Sequence, residues 1–285
     1  GVTPAGPFDI PGNEARRILA ANNLSLRPNA AVVRPYYNAM DLTRRPRDVW
    51  TIDFGTEMSV IEAAQYELPF EYVETYVRPI RATNNREAYR EKWWLYAESR
   101  PAMREALNPL HRYIATPMVA KYRIYVWLEP NIVPANLINV IARSDDYFFG
   151  VLHSRINETW ALRMGTWLGK GNDPRYTPTT TFETFPFPWR PGQEPTGDPA
   201  HRAISAAAQQ LHEERGAWLN PPGVPERALQ RRTLTNLYNA LLVFRGERPA
   251  EGKKHPKGVP EAGDFAPRLD ELHRAGIRTF AMIAP

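Results

Sequence analysis

The sequence predicts an α+β fold, in which a mixed or antiparallel sheet with packed helices is followed by an α-helical C-terminal region. β-rich segments and segments with helical periodicity share residues 1–195, whereas the patterns that follow, up to residue 244, are helical only. The 28 prolines favour many short elements with long connections. Apolar residues form 43% of the 285-residue chain, which is enough to bury a core in one large domain or two modest ones.

The first hundred residues are predicted to hold one helix, one strand and then three helical segments. The first helix covers Asn13–Ala21, after a Pro-Gly pair. The segment VWTIDF (49–54) alternates and is rich in β-formers, which predicts a strand. Helical periodicity then runs through MSVIEAAQYE, FEYVETYVRPI and NREAYREKWWLYAESR.

Three further strands are predicted in the middle of the chain, separated by Pro-bearing turns: RYIATP, YRIYVWL and NLINVIAR. A single helix is predicted over DDYFFGVLHSRINETWALRMG (145–165), because apolar residues recur there at four-residue spacing. Its two leading aspartates are expected at the helix N-terminus, where acids are favoured. The segment TFETFPFPW (181–189) alternates Thr and Phe and predicts a half-buried strand.

The C-terminal region follows a linker predicted at residues 190–199, which has three prolines and two glycines. We therefore divide the chain into residues 1–195 and 196–285. Helices are predicted over HRAISAAAQQLHEERGAWL and PERALQRRTLTNLYNALLVF, with NPPG (220–223) as the stop between them. Residues 246–265 are predicted to form a mobile loop, and a short last helix is predicted at 267–275.

Charge and composition narrow the function classes. The net charge of +5 and a pI near 9.4 favour a polyanionic partner mildly. Residues 27–47 hold five arginines against one acid, which fits either a solvated loop or a loop that contacts phosphates.

Cysteine is absent, which excludes disulfides and thiolate metal sites. No membrane-length apolar run or signal peptide is seen, so we expect a cytoplasmic protein, and the opening Gly suggests a piece of a longer one.

Catalytic signatures are incomplete in this sequence. GTWLGKG (165–171) has three residues where a phosphate loop has four, and no Ser or Thr follows its lysine. The six histidines show no metal-ligand spacing, and no nucleophile elbow or dinucleotide fingerprint is present. We therefore expect this chain alone to be non-catalytic, with no metal and no cofactor of its own.

Three long segments carry a resemblance to one family. They are YIATPMVAKYRIYVWL, RSDDYFFGVLHSRINETWALRMGTWLG and GNDPRYTPTTTFETFPFPW. On these motifs the chain resembles the target-recognition and C-terminal part of MmeI-like DNA methyltransferases, which include the type IIL restriction–modification enzymes. The opening GPFDIP and RPNAAVVRPYYNAMDLTRRPRDVWTIDFG, and the later AWLNPPG and RRTLTNLYN, extend the match to nearly all of the chain. The loop after NLYN and the final AGIRTFAMIAP depart from the family pattern.

The resemblance implies a function that the residues alone do not give. It implies sequence-specific recognition of double-stranded DNA, within a protein that methylates adenine N6 with S-adenosylmethionine and in some members also cleaves DNA. Residues 1–195 would form the recognition domain. The cofactor site and the catalytic motif would lie in an upstream methyltransferase domain of the same polypeptide, so the partners are duplex DNA and those other domains.

The loop GNDPRYTP is the candidate for reading bases. The resemblance carries this role onto Gly171, Asp173 and Arg175. Side-chain chemistry agrees and adds Asn172, since Arg pairs with guanine, Asn with adenine, and Asp accepts from the cytosine amine. A surface loop with an internal Asp–Arg ion pair is the alternative.

Six basic residues are candidates for contacting the DNA backbone. Lys121 and Arg123 lie two apart on a predicted strand, so both are expected on one face. Packing of their aliphatic stems in the core is the alternative. The six are Arg44, Arg45, Arg47, Lys121, Arg123 and Lys170.

The sequence is also compatible with two other functions. The first is a scaffold that binds no DNA and docks on an absent catalytic domain through its basic residues. The second is a self-contained enzyme of unfamiliar type. DNA affinity that falls steeply with salt separates DNA binding from the scaffold, and S-adenosylmethionine binding by this chain alone would favour the enzyme.

Overall fold

The computed structural model describes residues 1–168 and 173–244. The fold is α+β, as the sequence predicts, with helices packed around mixed and antiparallel strands. The chain divides into two compact units whose segments interleave. Unit 1 comprises Gly1–Asp41, Pro46–Tyr113 and Trp127–Ala142, and unit 2 comprises Leu42–Arg45, Ile114–Val126 and the described residues after Ala142. The predicted boundary at residue 195 concerns DNA binding and stays a prediction.

The strands are short. In chain order they are β1 (Asp9–Pro11), β2 (Val33–Tyr37), β3 (Val49–Ile52), β4 (Tyr113–Pro117), β5 (Val126–Leu128), β6 (Val133–Pro134), β7 (Ile138–Ile141), β8 (Thr166–Leu168) and β9 (Asp173–Arg175).

The helices carry most of the regular structure. They are α1 (Gly12–Ala20), α2 (Ala39–Thr43), α3 (Val60–Ala63), α4 (Glu67–Tyr76), α5 (Arg78–Ala82), α6 (Glu87–Glu91), α7 (Pro101–Leu107), α8 (Asp146–Leu152), α9 (Arg155–Met164), α10 (Pro199–Leu219), α11 (Glu226–Leu229) and α12 (Leu234–Phe244). Single turns of 3₁₀ and π helix lie at Asn29–Ala31 and Pro178–Phe182.

Unit 1 is built on a mixed four-stranded sheet in the order β1-β3-β2-β6. β3 pairs antiparallel with β1 and β2, and β2 pairs parallel with β6. The strand predicted at 49–54 is confirmed as β3. The first predicted helix is confirmed as α1. Buried apolar side chains of the sheet and the helices, including Phe8, Ile10, Ile52 and Val73, form one core.

One predicted helix of unit 1 is mostly wrong. The segment NREAYREKWWLYAESR forms only α6, and the helix ends at Glu91. The run WWLY that follows has four large apolar residues in succession, which cannot share one helical face. Leu95 and Tyr96 are buried in the core of unit 1, and Trp93 and Trp94 pack against it. Burial of this run overrides the local helical pattern.

Unit 2 has two helices where the sequence predicts one. α8 ends before His153, and α9 begins after Ser154, whose hydroxyl accepts a hydrogen bond from the N–H of Asn157. This N-cap gives the second helix its own start. The predicted cap at the first start is confirmed, since the Asp145 carboxylate accepts a hydrogen bond of 2.8 Å from the Phe148 N–H.

Two predicted strands of unit 2 are also corrected. In YRIYVWL the strand begins only at Val126, because Tyr122 and Ile124 pack against α12 instead of alternating across a sheet. TFETFPFPW is no strand, since its first residues belong to a π turn. There the Thr181 hydroxyl bonds back to the carbonyl of Thr177 at 2.7 Å, which competes with a strand ladder.

The C-terminal helices pack as their pattern predicts. Leu234, Tyr238 and Leu241 of α12 are buried against the segment before β5. The stop at NPPG is confirmed, since α10 ends at Leu219 and Gly223 takes a positive φ of 75°. The predicted loop at 246–265 and the predicted helix at 267–275 lie outside the described residues.

Close packing of α8 on α10 generates a prediction. A Cβ at Gly150 would lie 2.7 Å from Ile204 Cγ2 and 3.1 Å from the Ile204 carbonyl oxygen. Gly150→Ala should therefore lower the free energy of unfolding by about 1–3 kcal/mol, measured by urea denaturation, because the two helices must separate. A Cβ at Gly216, also in α10, would meet no atom within 4 Å. Gly216→Ala, the control, should raise that free energy by about 0.5–1 kcal/mol. Equal stability of the two variants would contradict the close contact.

Candidate nucleic-acid interface

The predicted recognition loop is carried by an antiparallel hairpin of β8 and β9. Leu168 pairs with Asp173, Trp167 with Pro174, and Thr166 with Arg175. Residues directly opposite each other in such a pair share one face of the ribbon. Leu168, Asp173, Thr166 and Arg175 therefore form one face, which we name the hairpin face.

Alternation along β9 decides which side chains reach solvent. Pro174 and the following Tyr176 are buried, whereas Arg175 between them is exposed and Asp173 is half-buried. Strand side chains point to opposite faces in turn, so the buried pair anchors the ribbon and the polar pair projects outward. The opposing residue Leu168 is 41% exposed. The hairpin face is therefore the outer face of this ribbon.

The second edge of β9 is held by the segment before residue 121. Tyr176 N–H donates to the Met118 carbonyl at 2.7 Å, and Val119 forms a bridge with Arg175. β9 is therefore the middle of three adjacent chain segments. Among the described strands, β8 pairs with β9 alone.

A buried guanidinium supports the hairpin from below. Arg123 is 5% exposed and donates to the Thr116 hydroxyl at 3.0 Å, to the Pro117 carbonyl and, at 3.4 Å, to the Pro174 carbonyl. Its guanidinium carbon also lies 4.8 Å from the ring centroid of Tyr176. Burial lowers the pKa of Arg123. The contacts join β4 directly to β9.

A second buried polar layer lies beneath Tyr176. The Tyr125 ring packs edge-on against the Tyr176 ring, and its hydroxyl donates to Asn157 Oδ1 at 3.0 Å. His153 Nε2 faces Arg215 at 2.9 Å, while His153 Nδ1 faces the Phe149 carbonyl, so the neutral tautomer with a proton on Nδ1 satisfies both contacts. Burial lowers the His153 pKa well below its usual value and the Arg215 pKa to about 9.

The structure brings two of the four predicted base readers together on one surface. Asp173 and Arg175 both lie on the hairpin face, and no ion pair joins them within the described residues. The alternative of an internal Asp–Arg pair is therefore not seen in the described part of the loop. Gly171 and Asn172 lie outside the described residues, as does the predicted phosphate contact Lys170.

Three of the arginines predicted to contact phosphates have hydrogen-bond partners within the protein. Arg123 is buried, so the expected shared face with exposed Lys121 is wrong, because residues 121–125 form no strand. Arg45 donates to the carbonyls of Leu219 and Leu229 and to the side chain of Asn220.

Arg47 likewise has a carboxylate partner. It forms a two-pronged pair with Asp41, with distances of 3.0 and 2.9 Å, and this hydrogen-bonded pair raises the Arg47 pKa. The Asp41 side chain is 1% exposed, whereas that of Arg47 is 43% exposed. One face of Arg47 thus remains in solvent beside its buried partner.

The chain segments that carry Arg44 and Lys121 both contact α12. Thr235 Oγ1 donates to the carbonyl of Thr43, next to Arg44, and Lys121 Nζ donates to Asn239 Oδ1 at 2.7 Å. Thr235 and Asn239 are four residues apart, so they share one face of the helix. Arg44 and Lys121 are both exposed. The backbone next to Arg44 and the ammonium of Lys121 therefore contact α12 about one helical turn apart, roughly 6 Å along the axis.

Sequence reasoning missed the apolar part of the hairpin. Trp167 and Leu168 belong to GTWLGKG, which the sequence treats only as an incomplete phosphate loop. They are 48% and 41% exposed on an edge strand. The sequence did contain a signal for β9, because Pro174 and Tyr176 alternate with polar residues. The strand is only three residues long, however, so the alternation is too short to predict it.

The described part of the chain has no membrane-spanning helix and no cluster of metal-ligating side chains. No helix within residues 1–168 and 173–244 has both the length and the apolar character for a bilayer crossing. In the same residues no three His, Asp or Glu side chains converge as metal ligands.

Comparison with known proteins gives one structural relationship. No family model matches the chain, and no curated protein matches it. Its fold matches a solved structure of the type IIL restriction–modification enzyme MmeI in complex with DNA, with a TM-score of 0.60. The match covers 99% of this chain and 35% of that one, at 15% sequence identity. The chain thus shares the fold of about a third of that enzyme's length.

The support from Arg123 generates a prediction about stability. Arg123→Lys should lower the free energy of unfolding by about 1–3 kcal/mol, because an ammonium cannot reach three acceptors in one plane. Urea denaturation measures the change. Arg175→Ser, at the exposed position of the same hairpin, should change it by less than about 0.5 kcal/mol. Unchanged stability in Arg123→Lys would show that the guanidinium does not hold the hairpin.

Proposed function

We propose that this chain is the sequence-specific duplex-DNA recognition module of an S-adenosylmethionine-dependent adenine-N6 DNA methyltransferase. The observation that carries the proposal is the hairpin face, which presents Asp173 and Arg175 outward on a ribbon anchored by Pro174 and Tyr176. The fold shared with an enzyme solved on DNA supports it. The major groove admits a two-stranded β-ribbon, so the element is of the right kind.

Strand spacing supports the reading of bases by this ribbon. Asp173 and Arg175 are two residues apart on one face, which is about 6.6 Å along a strand. Successive base pairs rise about 3.4 Å along each strand of DNA. The two side chains therefore match base pairs about two steps apart, provided that the ribbon follows the groove.

The two readers have complementary chemistry. An arginine can donate two hydrogen bonds to O6 and N7 of guanine, and an aspartate accepts from the cytosine amine. We propose these roles for Arg175 and Asp173, and extend base reading to Gly171 and Asn172 in the same loop. Because Asp173 and Arg175 form no ion pair with each other in the described chain, no such pair would have to break on binding.

Backbone contacts are proposed chiefly for the exposed basic residues. Arg44 and Lys121 are exposed in segments that contact α12, and they would bind phosphates without reading sequence. Lys170, which precedes the base readers in the sequence, is proposed for the same role. The solvent-facing side of Arg47 fits an additional phosphate contact. For Arg45 and Arg123 the contacts within the protein support a structural role instead.

The chemical step is proposed for the rest of the polypeptide. A methyltransferase must extrude its target adenine from the helix, which costs a few kcal/mol, so a separate module has to hold the flanking duplex in register. We assign that holding role to this chain. S-adenosylmethionine, the catalytic groups and any nuclease would belong to other domains of the same cytoplasmic protein.

A scaffold that binds no DNA is the second candidate. It is favoured by one observation, namely that Arg45, Arg47 and Arg123 bind acceptors within the protein. The scaffold and the recognition module differ in how affinity for DNA depends on sequence and salt. Both dependences should be absent for the scaffold.

Substitution of Arg175 tests base reading. In the full-length protein, Arg175→Ser should relax or switch the preference at one base pair, since one two-pronged contact discriminates about five- to 150-fold. Sequencing of the methylated adenines measures the change. Affinity for unrelated DNA should persist because phosphate contacts are untouched. Arg163→Ser, at an exposed position of α9, is the matched control and should leave the motif unaltered. An unaltered motif in Arg175→Ser would make the hairpin a scaffold element.

Substitution of Lys121 tests the grip on the backbone. Lys121→Ala should weaken binding of all duplexes about equally and reduce the slope of log affinity against log salt by about one unit. Fluorescence anisotropy over a salt series provides the measurement, and Arg44→Ala should behave alike. Lys92→Ala, an exposed lysine of unit 1, serves as the control for total charge. If both lysine variants keep the full slope, Lys121 does not lie in the interface.

A further inference from the structure

We infer that Leu168 is a specificity-determining residue that contacts the C5-methyl group of a thymine in the major groove, next to the base pair read by Asp173. The inference rests on the proposed function, because it assigns a partner to an apolar side chain on the same hairpin face. It adds a non-polar readout to the two polar ones.

Apolar side chains are exposed at this hairpin and just before it. Met164, Trp167 and Leu168 are 41%, 48% and 41% exposed, and all three lie within five residues of the chain. Two of them are on β8, which in the described part of the chain is an edge strand paired with β9 alone. Natural proteins usually protect edge strands with charged residues or cover them, since exposed apolar edges promote aggregation. The retention of apolar side chains here favours a ligand for them.

The pairing register places Leu168 beside a base reader. Leu168 lies directly opposite Asp173, and the Cβ atoms of such pairs are about 4.5–5.5 Å apart. One base-pair step rises about 3.4 Å. A base contacted by Leu168 is therefore in the pair read by Asp173 or in a neighbouring one. Trp167 lies on the opposite face, opposite buried Pro174, and cannot reach the same base edges.

The chemistry of the groove identifies the partner of an aliphatic side chain. The C5-methyl of thymine is the apolar group that natural bases present in the major groove, and apolar side chains contact it there. Asp173 is an acceptor and selects an amine on cytosine or adenine. Leucine and aspartate side by side thus select an amine-bearing base next to a thymine methyl.

The experiment removes the methyl group from the DNA instead of altering the protein. Duplexes that carry the recognised sequence are prepared with each thymine replaced singly by deoxyuridine, which keeps the hydrogen-bonding edge and lacks the methyl. The full-length protein should bind one of these duplexes about fourfold more weakly, the value of burying one methyl-sized group. The sensitive thymine should lie within one base pair of the position whose preference changes in Asp173→Asn.

Two protein variants connect the effect to Leu168. Leu168→Ala should bind the thymine and deoxyuridine duplexes equally, because the contact is already lost. Trp167→Leu, which changes an equally exposed neighbour on the other face, should keep the fourfold difference. If Leu168→Ala does not fold, Leu168→Val should show a reduced difference, and the scan with the unaltered protein tests the thymine contact independently.

The outcomes separate this inference from the proposed function. Binding with no sequence preference at all would overturn the proposed function. Sequence-specific binding with no deoxyuridine effect near the Asp173 position, or with no thymine there, would overturn the assignment of Leu168 alone. A deoxyuridine effect that persists unchanged in Leu168→Ala would likewise assign the methyl contact to another residue.

Discussion

The buried guanidinium of Arg123 is the interaction on which the geometry of the hairpin face depends. A buried charge is costly unless its donors are satisfied, and here the acceptors are the Thr116 hydroxyl and the carbonyls of Pro117 and Pro174. These acceptors come from two strands far apart in the sequence. Because the guanidinium is planar and its donors point in fixed directions, it sets the position of β9 relative to β4. The Arg123 guanidinium also stacks on the ring of Tyr176, the residue that follows β9.

This support explains how a short ribbon can present side chains in fixed positions. A two-stranded hairpin is marginally stable alone, and binding groups on well-supported strands are placed more accurately than groups on loops. β9 is fixed by Arg123 below, by the segment at Val119 on one edge and by β8 on the other. Asp173 and Arg175 then project outward because their neighbours in the strand are committed to the interior.

Five arginines of unit 2 show two different environments. Arg45, Arg123 and Arg215 donate to carbonyls, hydroxyls and amides within the protein, and burial lowers the pKa of each. Arg44 and Arg175 stay exposed, so their charge is available to a partner. The net charge of the chain therefore overstates the charge available for DNA. Position, more than total charge, distinguishes the proposed contacts.

Local sequence patterns were sufficient to predict the fold class, the first helix, the strand at Val49–Ile52, the cap at Asp145 and the stop after Leu219. Each of these follows from local periodicity, capping or turn chemistry within a few residues. The family resemblance also placed Asp173 and Arg175 in one candidate loop, and their side-chain types agree because they match base edges. Only tertiary structure decided that α8 and α9 are separate helices, that residues 121–125 form no strand and that Arg123 faces inward. These features depend on contacts between segments distant in sequence, such as Arg123 with Pro174 and Tyr122 with α12, and local patterns carry no information about such contacts.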